Sequence, residues 1–239
     1  MKTLPSYIDH TLLAANATPE QIKTLCQEAR QYHFCSVCVN SSYVPLAVTQ
    51  LKDSDVKVCS VVGFPLGAMV TESKAHEAKV AIAEGAEEID MVIHIGRLKS
   101  GELESVEGDI QAVRDATQGQ ILKVIFETAL ITKEEIVTLC QICTRVGVDF
   151  VKTSTGFSIG GATLEDVALM KASVGDGVQV KASGGIRDYE TAMAMIEAGA
   201  TRLGVSAGIA IVTGALGSGL DDVSQGGVSS VPDSCKGDY

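Results

Sequence analysis

The sequence predicts an α/β fold, a (β/α)8 TIM barrel in a single domain, on three observations. Short apolar runs alternate with helical patterns along the chain. The junction between them recurs. A helical stretch closes on glycine and an apolar run follows, as in Glu84-Gly85-Ala86 before Glu88-Ile89-Asp90-Met91-Val92-Ile93. The same occurs in Val146-Gly147 before Val148-Asp149-Phe150-Val151, and in Ala198-Gly199-Ala200 before Arg202-Leu203-Gly204-Val205. Glycine just past a helix tolerates the left-handed turn that ends it, and such short connections suit αβ loops. Finally, eight strands and eight helices fit in 239 residues, close to the roughly 250 typical of such barrels. A doubly wound open sheet would show the same alternation, because sequence does not reveal closure.

In chain order, strands are expected at 6–10, 35–40, 56–62, 88–94, 121–127, 148–153, 178–183 and 202–206. The first helix opens at Thr18-Pro19-Glu20: an N-cap, a proline at the first helical position and an acid in the first turn. Ile22, Leu25, Cys26 and Ala29 then form one apolar stripe. Further helices are expected near 42–51, 71–84, 102–116, 132–146, 163–174, 188–198 and 207–215. Thr132-Lys133-Glu134-Glu135 is a capping box. The barrel is assigned to 1–215. From Leu216 to Tyr239 the chain is rich in Gly, Ser and Asp with little periodicity, and a flexible polar tail is expected there.

Composition excludes some partners. A net charge of -11 argues against nucleic acid. No apolar run approaches the roughly 18 residues of a membrane helix. Asp9 and His10 come too early for a secretory signal. Seven cysteines, an odd number in a long chain, suit a reduced, cytoplasmic setting.

Two lysines carry the chemical signal. Lys152 closes Val148-Asp149-Phe150-Val151, and Lys181 follows Val178-Gln179-Val180. Each stands near the end of a strand, where barrels place function. An isolated ammonium in a buried strand is costly. A cation beside a second amine favours that amine's neutral, nucleophilic form, as attack on a carbonyl requires. Asp90 and Asp9 interrupt apolar strands in a similar way, and period-two alternation puts Phe150 on the face of Lys152 and Val92 on the face of Asp90. These side chains could meet in one pocket. A structural ion-pair network would use the same residues.

Glycines form a second cluster, Ser183-Gly184-Gly185 after the seventh strand and Gly204-Val205-Ser206-Ala207-Gly208 after the eighth. Backbone N–H groups and a helix N-terminus in these loops suit a phosphate. Substrate or phosphate contacts are therefore assigned to Thr153, Gly184, Gly185, Gly204, Ser206 and Ala207. The pairs Cys35/Cys38 and Cys140/Cys143 have metal-ligand spacing, but the first lies in a strand and the second on an apolar helix face, so both are read as core thiols. His10, His33, His76 and His94 form no close pair. His10 and His94 follow strand carboxylates and are read either as lining the pocket mouth or, more simply, as solvated loop positions.

These motifs together resemble the class I, Schiff-base deoxyribose-phosphate aldolases. The resemblance runs through Tyr7-Ile8-Asp9-His10-Thr11-Leu12-Leu13, Val37-Cys38-Val39-Asn40, Gly63-Phe64-Pro65-Leu66-Gly67, Glu88 to Ile93, Val151 to Phe157, Lys181 to Ile186 and Gly204 to Gly208, in order, to about residue 212. It implies a TIM barrel and reversible cleavage of 2-deoxy-D-ribose 5-phosphate to acetaldehyde and D-glyceraldehyde 3-phosphate. Lys152 would be the Schiff-base lysine, Lys181 its cationic partner, Asp90 the proton shuttle and Asp9 the carboxylate that holds Lys181. No metal and no cofactor are implied. His94 stands where the family usually has asparagine, which should alter rim polarity without loss of activity. Phosphorylated sugar and aldehyde substrates and a homodimer or higher homo-oligomer are expected. Tyr239 is assigned a possible proton relay over the phosphate end, and Cys38 a possible trap for aldehyde by-products. A different Schiff-base aldolase and a catalytically silent phosphosugar-binding barrel are the competing readings.

Overall fold

The computed structural model describes residues 3–217. The eight strands are β1 (Ile8–Leu12), β2 (Ser36–Val39), β3 (Lys57–Val62), β4 (Glu88–Val92), β5 (Ile121–Ile125), β6 (Phe150–Lys152), β7 (Gln179–Ser183) and β8 (Arg202–Val205). They pair in parallel in chain order, and β8 returns to β1, so the sheet is closed and the doubly wound alternative is excluded. Around it lie α1 (Pro19–Tyr32), α2 (Val44–Gln50), α3 (Thr71–Ala83), α4 (Ile95–Lys99), α5 (Leu103–Ala116), α6 (Lys133–Val146), α7 (Leu164–Ser173), α8 (Tyr189–Glu197) and α9 (Gly208–Gly217). The expected tail, 216–239, lies outside the described residues apart from its first two positions, which end α9; Tyr239 lies outside them.

Side-chain caps open α1, α4, α6, α7 and α8. Thr18 and Thr132 each close a reciprocal capping box, with Gln21 and with Glu135. Most strands are a residue or more shorter than expected at their ends, β6 most of all, and three further differences are local. The first strand begins at Ile8, not residue 6, because Leu4–Tyr7 forms a 3-10 turn with Pro5 at its start, where a missing N–H does no harm. The segment 42–51 divides into a 3-10 turn, Ser41–Tyr43, and α2. A short helix not expected from the sequence, α4, follows β4; the His94 ring accepts from the Arg97 N–H at 3.3 Å and caps it.

The main apolar core lies between strands and helices, where Ile8, Val37, Ile89 and Val124 point outward under the helices. The barrel interior is different. Alternation turns Asp9, Cys38, Cys59, Asp90, Lys123, Lys152 and Lys181 toward the axis, all nearly or wholly buried. Cys140 and Cys143 are buried on α6, and burial pushes the Cys140 thiol up to about 12, as core thiols require. Among the described residues no helix is long and apolar enough to cross a membrane.

Candidate active site

Closure brings residues from β1, β4, β5, β6, β7 and β8 into one hydrogen-bonded cluster. Lys152 Nζ and Lys181 Nζ both donate to the same oxygen, Asp90 Oδ2, each at 2.7 Å. Lys181 also donates to Asp9 Oδ2 in a very short bond. Lys123 reaches Asp90 Oδ1 at 2.8 Å and Glu88 Oε2 at 2.5 Å. Arg202 bridges Asp9 Oδ1 at 2.7 Å and Glu88 Oε2 at 3.0 Å, and its guanidinium sits 5.2 Å from the centre of the Phe150 ring. Ser36 donates to Asp9 Oδ1 at 2.7 Å. Strand register makes this possible: Lys152 pairs with Lys181, Lys181 with Arg202, and Asp90 with Lys123.

The electrostatics follow from burial and proximity. Burial alone would raise the Asp9 carboxyl, but Lys181, Arg202 and Lys123 outweigh it and hold Asp9 far below the usual range. Asp90 is likewise held well below that range, by Lys123, Lys152 and Lys181 against its own burial. Burial would lower Lys181, but Asp9 and Asp90 override it and keep Lys181 above the ordinary lysine range. Lys123 is held up in the same way by Asp90, Cys59, Glu88 and Asp9. Lys181 and Lys123 therefore remain cations.

A cleft of about 440 Å³ opens at the carboxyl ends of the strands. Among the described residues Lys152 is the one lysine that lines it; Lys181, Lys123, Asp9 and Asp90 lie beneath and do not. Gly184, Gly185, Gly204 and Ser206 line the same cleft, as the glycine clusters suggested. Gly184 and Gly185 have φ of 84° and 81°, a conformation that L side chains rarely adopt. Gly204 serves another purpose: a Cβ there would come within 3.0 Å of Lys181 Cε, so its missing side chain makes room for the Lys181 stem. Arg187, exposed two residues after Gly185, adds a positive charge to this side.

Some assignments move. Thr153 does not line the cleft; its hydroxyl bridges to the Ser183 carbonyl and N–H, each at 3.1 Å, and ties β6 to β7. Ala207 stands beside Ser206 at the start of α9, outside the lining. His10 is not a loop residue. It lies on the face of β1 opposite Asp9, buried, with Nε2 2.7 Å from Glu28 and its ring 5.0 Å from Phe34. His94 is half-buried as the cap of α4. Cys38 is wholly buried among Leu13, Cys59 and Val61 and does not line the cleft, which removes it from the path of an aldehyde there.

Sequence reasoning missed Lys123, Glu88, Arg202 and Arg187. Lys123 interrupts Ile121-Leu122-Lys123-Val124-Ile125 as Lys152 interrupts its own strand, and Glu88 shares a strand face with Asp90. Those signals were available. Among the described residues one group of three or more potential metal ligands exists, Cys38, Cys59 and Asp90. It does not fit a divalent cation, because Lys123 sits 3.4 Å from Cys59 Sγ and 2.8 Å from Asp90 Oδ1 and would repel one.

A closed barrel with an amine at its catalytic mouth, held over a buried web of carboxylates and cations, defines an α/β-barrel enzyme of the aldolase kind. The family model described as DeoC/LacD family aldolase matches residues 3–214. The deoxyribose-phosphate aldolase of Brevibacillus brevis is 60% identical over 87% of this chain and 95% of its own length. That of Finegoldia magna is 61% identical over 88% and 99%. The tetrameric deoxyribose phosphate aldolase of Aeropyrum pernix superposes with a TM-score of 0.82 at 34% identity, covering 88% of this chain and 89% of that one. The chain belongs to the DeoC/LacD family of aldolases.

Proposed function

We infer that the protein is a deoxyribose-phosphate aldolase that cleaves 2-deoxy-D-ribose 5-phosphate reversibly to acetaldehyde and D-glyceraldehyde 3-phosphate through an imine on Lys152. One observation carries the choice of residue: three lysines share the buried cluster, and Lys152 alone reaches the cleft. The cluster also holds one basic group more than it holds carboxyls, Lys123, Lys152, Lys181 and Arg202 against Asp9, Glu88 and Asp90.

The chemistry then follows from position. Lys152 Nζ attacks C1 of the open-chain sugar, and loss of water gives a protonated imine. A base takes the C3 hydroxyl proton, the C2–C3 bond breaks, and its electrons pass into the imine to give an enamine. Protonation at C2 and hydrolysis release acetaldehyde and restore the amine. Asp90, bonded to both Lys152 and Lys181, is the group placed to pass these protons. Lys181, fixed by Asp9, stays cationic and draws none of the substrate's carbonyl. The loops of Gly184, Gly185 and Ser206, with Arg187, receive the phosphate. A homo-oligomer, as in the Aeropyrum relative, and a cytoplasmic setting, which suits the free thiols of Cys26, Cys38 and Cys59, belong to the same reading.

Borohydride reduction in the presence of acetaldehyde tests it. Intact mass should rise by one ethyl group, and the modified peptide should contain Lys152. An adduct on another lysine, or no cleavage of the sugar phosphate, would overturn the assignment.

A further inference from the structure

The chain leaves β5 through Phe126-Glu127-Thr128. Glu127 has a left-handed backbone, φ 57°, uncommon for a long L side chain. Strain of this kind persists only where the surroundings over-determine it, and it concentrates at working sites. The turn sends the side chain inward, where Glu127 is 2% exposed.

Its carboxyl makes hydrogen bonds to one residue of the next loop. Glu127 Oε2 accepts from the Thr155 N–H at 3.2 Å and from the Thr155 hydroxyl in a very short bond. The same hydroxyl accepts from the Phe157 N–H at 3.0 Å. Phe157 meets Phe64 edge-on, with ring centres 5.2 Å apart. Thr155, Gly156 and Phe157 form a wall of the cleft that also exposes Lys152, whereas Glu127 stays behind it. The second oxygen, Oε1, is buried and has no hydrogen-bond partner among the described residues. Burial lifts the carboxyl above the ordinary glutamate range, against the Thr155 bonds and the field of Lys152. A strained, half-satisfied buried carboxyl is thus committed to one threonine of the cleft wall.

We propose that Glu127 is a positioning residue for the substrate: through Thr155 it fixes the wall met by the part of the sugar phosphate that extends beyond the imine carbon. The inference rests on the aldolase reading above. Acetaldehyde, which ends at the second carbon, makes no use of that wall.

Two assays run side by side on Glu127→Ala, Glu127→Gln and Thr155→Val test it, cleavage of 2-deoxyribose 5-phosphate and borohydride trapping of acetaldehyde. Glu127→Ala should raise KM for the sugar phosphate about tenfold or more, with kcat within about threefold, since binding is lost rather than chemistry. Acetaldehyde should still be trapped on Lys152 at the wild-type rate. Glu127→Gln keeps a carbonyl oxygen for Thr155 and should restore KM to within about threefold. Thr155→Val should match Glu127→Ala, and the double variant should be no worse than either, because the pair acts as a unit. An unchanged KM in Glu127→Ala, a loss confined to kcat, losses that add in the double variant, or failed acetaldehyde trapping would each overturn the proposal. Should Glu127→Ala not fold, Thr155→Val decides alone, and an unchanged KM there overturns it. Wild-type protein inert in both assays would instead overturn the aldolase reading.

Discussion

Lys74 and Lys152 are both lysines taken out of water and paired with a carboxylate, at 2.6 Å to Asp109 and 2.7 Å to Asp90. Their surroundings differ in connectivity. Lys74, on α3, meets Asp109 on α5 one to one; its second partner is the Val92 carbonyl at 2.9 Å, and Thr71 donates to the other oxygen of Asp109. The pair is sealed and complete. Lys152 shares its carboxylate with Lys181 and Lys123 and touches an open cleft. Burial pulls Lys74 below the ordinary lysine range, against the opposing pull of Asp109, yet no reactant can reach it. A perturbed amine such as Lys74 is therefore not by itself a reactive one, because a reactant must also have access to it.

The comparison breaks most sharply under substitution of the two lysines. Lys152→Leu should lower kcat by more than about 10⁴-fold, as loss of a covalent nucleophile does, and leave no borohydride adduct. Its thermal stability should hold, because Asp90 retains Lys181 and Lys123. Activity above a hundredth of wild type would remove Lys152 from the chemistry. Lys74→Met should do the reverse. Stranding the Asp109 charge should cost about 3–5 kcal/mol in denaturant unfolding, while the folded fraction still forms the acetaldehyde adduct. Adding Asp109→Leu should recover most of that loss, since a packed apolar pair often equals a buried ion pair.

Titration sharpens the contrast. Asp9 and Asp90 are held below their usual value near 3.8. Their contribution to stability is complete above about pH 4 and is lost as pH falls through their folded values, because the unfolded chain takes up protons first. On the alkaline side the two lysine classes have opposite signs. Lys181 and Lys123 lie above the ordinary 10.5, so their contribution fades as pH rises past it. Lys74 lies below, so its contribution grows as pH rises through its folded value. The urea midpoint of Lys74→Met should lack that alkaline rise, and an unchanged profile would contradict it. The smallest effect belongs to the rim: His94→Asn keeps a cap for α4 and should leave kcat/KM within about threefold and stability within about 0.5 kcal/mol.

Much was legible without coordinates. Alternating strands and helices gave the barrel, and glycine after helix gave its punctuation. Lys152, Lys181, Asp90 and Asp9 could be singled out because each places charge inside an apolar strand. Lys123 carried the same signature and was overlooked beside them. His10 was misplaced because a residue adjacent to Asp9 on a strand must face the other way.

Sequence alone marked Asp9, Asp90, Lys152 and Lys181 as charges set into apolar strands, because strand periodicity and local composition are properties of neighbours along the chain. Only tertiary structure decided which of three buried amines faces the cleft, which oxygen two of them share, and that Arg202, Glu88 and Glu127 support them. Residues 9, 90, 152 and 181 come together through closure and register, and those are set by packing around the whole barrel rather than by any segment of it.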